Sequence, residues 1–224
     1  MMRMFAAALV AFAVSFSATA YANAAPGRVA FDIFRNGEKT GTHSVDVTTQ
    51  GDTTIARIAI DMAGRVGPFS YSYKHRCTET WRADKLVALD CSDEERGKPM
   101  KRVRAALNAQ GQLAVTANGV VSATVSNSAL PSSWWRESLV RQSQIINTRT
   151  GKLAPLRVQR IGDESVSGLS GDTTRATHYR LRGTVNADIW YDQQGRWTKM
   201  RFRLSGQNFE YRKRTPLGSG PSAR

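Results

Sequence analysis

Between Phe69 and Cys91 the chain reads FSYSYKHRCTETWRADKLVALDC, and its first half alternates with a period of two. Phe69, Tyr71, Tyr73, His75, Cys77, Glu79 and Trp81 share one face, and Ser70, Ser72, Lys74, Arg76, Thr78, Thr80 and Arg82 share the other. No helix can segregate side chains at that period, whereas a half-buried strand must. A return strand follows at once. With Ala83-Asp84-Lys85 as a three-residue loop, Trp81 opposes Val87, Glu79 opposes Leu89 and Cys77 opposes Cys91, apolar face against apolar face. Directly opposed antiparallel residues bring their Cβ atoms to about 4.5–5.5 Å, near the reach of a disulfide. The chain has two cysteines, so a Cys77–Cys91 bridge is expected, worth about 2–3 kcal/mol for so short a loop. A redox-active pair would want C-x-x-C spacing or a helix start to acidify a thiol, and the sequence offers neither.

The same alternation recurs along the chain. Val29, Phe31 and Ile33 alternate before Asn36-Gly37, a hairpin turn signal. A three-residue loop Arg35-Asn36-Gly37 opposes them to Val45, His43 and Gly41, keeps like faces together, and points His43 inward. Further strands are predicted near 53–63, 101–107, 112–117, 120–126, 156–159, 177–181, 185–191, 198–204 and 209–211. In the last long hairpin a four-residue loop Asp192–Gly195 opposes Trp190 to Trp197 and Asp188 to Lys199. One segment, Leu130–Val140, breaks the period and is predicted as a short helix with Ser133 as N-cap and a Trp135/Leu139 pair. About a dozen strands joined by tight turns predict a mostly β fold, a curled antiparallel sheet forming an open or half β-barrel, spiral-like, with one short helix.

Residues 1–22 read as a secretory signal: Arg3 supplies the charge, Met4–Phe16 the apolar run, and Ala18-Thr19-Ala20 or Ala20-Tyr21-Ala22 the cleavage site. The run is shorter than the roughly 20 apolar residues of a membrane span. Residues 26–214 are expected to form a single β-rich domain and 215–224 a disordered tail. An exported, periplasmic chain with a formal net charge of +14 has envelope polyanions, lipopolysaccharide among them, as its natural partners rather than nucleic acid.

Candidate chemistry is sparse. Of the histidines, His43 and His75 point inward and His178 outward. No metal-ligand spacing occurs, so neither a metal nor another cofactor is expected. Glu79 is the odd residue, a carboxylate on an apolar wall that must be paired, hydrogen-bonded or protonated. Four residues along a strand separate it from His75 by about 13 Å, too far for a direct pair. There is no nucleophile elbow, phosphate loop or dinucleotide fingerprint. On the outer side, Trp190 and Trp197 beside Lys199, Arg201 and Arg203 form a candidate surface for anionic partners.

The phrases NGEKTGTHSVDV, FSYSYKHRCTETW, SLVRQSQIINTRTGKLAPLRV and ADIWYDQQGRWTKMRFRLSGQNFEYRK, with the motifs G-x-H, Y-x-Y-x-H-x-x-x-E-x-W, N-x-x-T-G and W-Y-x-x-x-G-R-W, resemble a family of exported proteobacterial proteins known only as a domain of unknown function. The resemblance spans about residues 28–213. It implies a β-rich periplasmic domain and carries over no activity. More loosely, the architecture looks like the curled half-barrels of periplasmic lipoprotein carriers and the β-spirals of envelope-integrity proteins. The expectation is a concave wall that binds an apolar or amphipathic envelope ligand, a lipid or lipoprotein acyl chain, lined by Tyr71, Tyr73, His75, Glu79, Trp81 and His43 with Trp134 or Trp135 near its mouth. The rivals are a scaffold acting through the basic outer stripe and a hydrolase built around His43, His75 and Glu79.

Overall fold

The computed structural model describes residues 27–184, 186–216 and 220–221. The signal segment lies outside these, as do 217–219 and 222–224 of the tail; within the tail, Pro221 is buried and Gly220 lies against Val29.

The alternating segments all become strands. In chain order they are β1 (Gly27–Arg35), β2 (Glu38–Gln50), β3 (Thr53–Val66), β4 (Phe69–Arg82), β5 (Lys85–Glu95), β6 (Lys101–Leu107), β7 (Leu113–Ala117), β8 (Val120–Val125), β9 (Gln144–Ile146), β10 (Leu153–Ser167), β11 (Thr173–Gly183), β12 (Ala187–Asp192), β13 (Trp197–Leu204) and β14 (Gln207–Lys213). They form one 14-stranded sheet in the order β8-β7-β6-β5-β4-β3-β2-β1-β14-β13-β12-β11-β10-β9. The chain is thus two up-and-down meanders joined through β1 and β14, and the sheet is left open between β8 and β9. The turn after β9 reaches across that opening, where the Ser122 hydroxyl donates to the Gly151 carbonyl at 3.0 Å. Curling lets one face of the sheet bury itself, and the interior is a single apolar cluster running from Val29 to Tyr211.

Register follows the turns, and bulges tune it. Val29, Phe31 and Ile33 pair with Val45, His43 and Gly41 as expected, but the turn is the two-residue Asn36-Gly37, both left-handed, and a bulge at Ile33/Phe34 absorbs the difference. Likewise Cys77 faces Cys91 and Glu79 faces Leu89, while a bulge at Thr80/Trp81 sets Trp81 against Leu86 rather than Val87. The Cys77–Cys91 disulfide is present.

Two further expectations fail. In the β12–β13 hairpin Trp190 faces Lys199, Asp188 faces Arg201, and Trp197 faces Tyr191. The cause is the Asp192 carboxylate, which accepts the backbone N–H groups of Gln194 and Arg196 at 2.9 Å each and draws the loop one residue longer, and a bulge at Trp190/Tyr191 shifts the register by one residue more. The predicted 130–140 helix is reduced to a 3-10 turn at Glu137–Arg141. Before it, Pro131 bridges to Ile146 and Trp134 is left-handed at φ 68°. Isolated short helices nucleate poorly, and here the side chains of Trp135 and Arg136 bond to Glu79 and Asp84 instead.

Candidate functional site

Antiparallel registers carry side chains into rows across the inner face. Phe31 pairs with His43, His43 with Ile60, Ile60 with His75, and His75 with Asp93. The histidine-bearing strands β2 and β4 are therefore separated by β3, and the two rings face the same interior one strand apart. One row further along, Gly41, Met62, Tyr73 and Glu95 align. Glycines make room there: a Cβ on Gly64 would lie 2.8 Å from the Tyr71 hydroxyl oxygen.

These rows border a cleft that opens toward the strand ends carrying the β1–β2, β3–β4, β9–β10 and β13–β14 turns. It consists of two adjoining compartments of about 380 Å³ each, with Ile60, Tyr73, Trp134, Arg149, Phe202 and Leu204 lining both. One compartment is apolar, walled by Met62, Tyr71, Met200, Phe209 and Tyr211. The other is polar, reached by His43, His75, Ser132, Ser133, Asn147 and Thr148.

Two features define the polar compartment. His43 is 1% exposed, and among the described residues neither ring nitrogen has a hydrogen-bond partner. Its ring packs edge-on to Trp197 (5.1 Å) and Tyr211 (5.6 Å). Burial, with a smaller effect from His75, lowers its pKa to about 3, so it is neutral at neutral pH and presents one donor and one acceptor. Beside it, His75 Nδ1 and Asp93 Oδ1 lie 2.9 Å apart, and the Tyr73 hydroxyl donates to the same oxygen at 2.7 Å. Burial works against the Asp93 charge, but the bonds from His75 and Tyr73 and the Arg149 guanidinium at 3.6 Å outweigh it and hold the carboxyl below its usual range. Burial and the neighbouring Asp93 push the Tyr73 phenol well up. The His75 partner was implicit in the expected register, which places Asp93 opposite His75.

Glu79, Trp81 and Trp135 do not line the cleft, contrary to expectation. All are fully buried behind it. The Glu79 Oε2 accepts the indole N–H groups of Trp81 at 3.0 Å and Trp135 at 2.9 Å. Among the described residues its Oε1 has no bond of good geometry, although Ser133 stands near enough to oppose the upward pKa shift that burial imposes. The Arg136 guanidinium stacks over both indoles, 4.3 Å from the Trp81 centroid and 5.2 Å from the Trp135 centroid, and is anchored by Asp84 at 2.7 Å. This stack props the cleft wall. The left-handed Trp134 splits the Trp-Trp pair, sending Trp134 to the cleft and Trp135 to Glu79. His43, His75 and Glu79 are thus not brought together as one catalytic group.

The outer stripe also differs from expectation. Trp197 points inward, 1% exposed and 4.2 Å from the Phe31 ring. Trp190 is on the outer face but covered: it stacks on His178 at 4.3 Å, its N–H donates to Glu164, and Lys199 and Arg201 flank its ring. His178 is on the outer face as predicted, bonded to Asp188 at 2.8 Å. Arg203 is exposed and reaches the cleft mouth.

Ligand atoms of His75, Cys77 and Cys91 lie within 4.8 Å of one another. The two sulfurs are joined to each other, and a disulfide offers no thiolate to a metal.

Sequence phrases that Arg149, Met62, Met200, Phe202 and Phe209 belong to gave no sign of a site, because they meet only when β3, β13, β14 and the β9–β10 turn curl together.

None of the curated proteins matches the chain. A solved structure similar to this one is a β-barrel-like protein of a domain of unknown function, DUF1849, from Brucella abortus. The TM-score is 0.61 at 9% identity, covering 84% of this chain and 95% of that one. At that identity the likeness concerns the fold, a β-barrel-like sheet. Residues 31–214 match the family model of the domain of unknown function DUF6134. By that match, which takes in nearly the whole described sheet, the chain belongs to the DUF6134 family.

Proposed function

We propose that the chain is an exported, periplasmic binding protein that holds an amphipathic envelope ligand, a lipid or a lipoprotein acyl chain, in the cleft. The observation that carries this reading is the cleft's divided chemistry. A methionine- and aromatic-lined compartment adjoins a polar one that His43 lines, buried and with both nitrogens unpartnered among the described residues. Each compartment has a volume of about 380 Å³, within the roughly 300–1,000 Å³ of small-molecule sites. Methionines such as Met62 and Met200 adapt to irregular apolar guests. A buried polar group without a partner costs free energy, and a guest hydroxyl, ester or amide reaching His43 would recover it. Export fits the reading, since the disulfide persists in an oxidising compartment.

The test is to purify the oxidised protein from periplasm and analyse its organic extract by mass spectrometry. A lipid at stoichiometric level is expected. After delipidation, an environment-sensitive hydrophobic dye should bind the protein, and Ile60→Trp, which fills the space shared by both compartments, should abolish that binding. Absence of co-purified lipid together with absence of dye binding overturns the proposal.

A further inference from the structure

Beside the open end of the cleft lies a third groove of about 760 Å³. The groove shares Asn186, Phe202 and Arg203 with the polar compartment, and Phe209 with the apolar one. Phe202 borders all three spaces. Five charged side chains line the groove: Arg182, Asp188, Arg201, Arg203 and Glu210.

The acids among them are each ion-paired. Asp188 is bound by His178 (2.8 Å), Arg180 (3.1 Å) and Arg201 (3.5 Å). Glu210 is bound by Lys199 (3.1 Å) and Arg212 (2.7 Å). The cation inside the cleft, Arg149, is taken by Asp93. Arg182 and Arg203 remain. Both are exposed, and among the described residues neither forms an ion pair; Arg182 donates only to the Leu181 carbonyl, at 2.8 Å. Their uncharged polar neighbours in the groove are Asn36, Asn186 and Asn208, which supply further hydrogen bonds and no charge. Two guanidinium groups without an ion pair among the described residues thus stand in the groove, Arg203 also bordering the polar compartment, and a guanidinium fork matches phosphate and carboxylate oxygens.

We infer that the guest is an anionic amphiphile, its chain in the cleft and its phosphate or carboxylate head at Arg182 and Arg203. The inference rests on the cleft reading proposed above and adds to it the sign of the head group.

The experiment is calorimetric titration of delipidated, oxidised full-length protein with three amphiphiles of one chain length, namely dodecyl phosphate, dodecanol and dodecyltrimethylammonium, and with inorganic phosphate. Dodecyl phosphate should bind about tenfold tighter than either of the others, with the gap narrowing as salt is raised. In the Arg182→Gln/Arg203→Gln double variant its affinity should fall to that of dodecanol on the wild type, with Tm unchanged because both side chains are exposed. Equal binding of all three amphiphiles overturns the head-group inference and leaves the cleft reading standing. Binding of none overturns both. Inorganic phosphate binding as tightly as dodecyl phosphate makes the groove a free-anion site and overturns the inference, as does a phosphate preference that survives the double substitution.

Discussion

Removing the Glu79 carboxyl tests what holds the wall behind the cleft. Glu79 is fully buried, and its Oε2 takes the N–H groups of Trp81 (3.0 Å) and Trp135 (2.9 Å). In Glu79→Ala both indole donors stay buried with no acceptor, at about 1–3 kcal/mol each. The pair therefore costs roughly 2–6 kcal/mol, before any contribution from the space vacated. In a domain of this size 1 kcal/mol moves Tm by roughly 2–4 °C, so the expected fall is on the order of 10 °C. Glu79→Gln keeps a carbonyl oxygen for the indoles and should lose far less. The two variants also separate hydrogen bonding from charge. Burial raises the Glu79 pKa above its ordinary 4.5. Between the unfolded value and the raised folded one, the native state holds a proton that the unfolded chain has released. Wild-type stability contributed by this group is thus greatest at acid pH and declines as pH rises through that window. Glu79→Gln has no such proton, so its stability relative to wild type should climb across the same window. Thermal and urea denaturation of the oxidised proteins, followed by near-UV circular dichroism at a series of pH values, measures both effects. An alanine variant within about 1 kcal/mol of wild type, or a glutamine variant as damaging as alanine, would refute the argument that orphaned indole donors set the cost.

Replacing both Cys77 and Cys91 by alanine opens a loop with a sequence separation of 14 and should cost about 3 kcal/mol, read as a lower urea midpoint; a midpoint equal to that of the oxidised wild type would show that the bridge contributes nothing. His43 has its pKa lowered from 6.5 to about 3, so the unfolded chain takes up a proton first on acidification. Wild-type stability should fall between about pH 6.5 and about pH 3 by on the order of 4 kcal/mol, and the difference curve against His43→Phe should show that slope and be level above it. A flat difference curve contradicts the burial of a neutral imidazole. A Cβ on Gly41 would lie 2.2 Å from the Asp61 carbonyl oxygen and 2.9 Å from the Met62 Cα, both backbone. Gly41→Ala should therefore destabilise by about 1–3 kcal/mol, seen as reduced soluble yield and Tm, whereas wild-type stability would mean that β2 and β3 can separate freely there.

The inner wall was partly legible. Alternation aimed His43, Tyr71, Tyr73 and His75 inward, and all four line the cleft. It aimed Glu79 and Trp81 the same way, and they do face in, but alternation gives only a face and not a depth. The cleft lies toward one end of the strands, while Glu79 and Trp81 lie toward the other and meet Trp135 in a dry stack. Trp190 and Trp197 were misread for a different cause. Their register depended on how many residues the Asp192 side chain would gather into the loop, and a change in pairing with a bulge turned Trp197 to the core. The segment around Trp134 carried a helix-like pattern that lost to side-chain bonds made with residues some fifty positions earlier, such as Glu79.

Local chemistry was enough to specify a β protein, the facing of most strands and the cysteine pair, because period-two alternation and hairpin pairing act between residues close in the chain. What joins the two halves of the sheet acts over its full length: β1 pairs with β14, and the cleft joins β3 and β4 to β13, β14 and the turn after β9. Which polar groups end up paired was likewise decided only there. Burial in the curled interior left His43 without a partner, gave His75 to Asp93, turned Glu79 to two indoles, and left Arg182 and Arg203 at the mouth. Pairing of this kind depends on distances across the barrel, which no sequence period encodes.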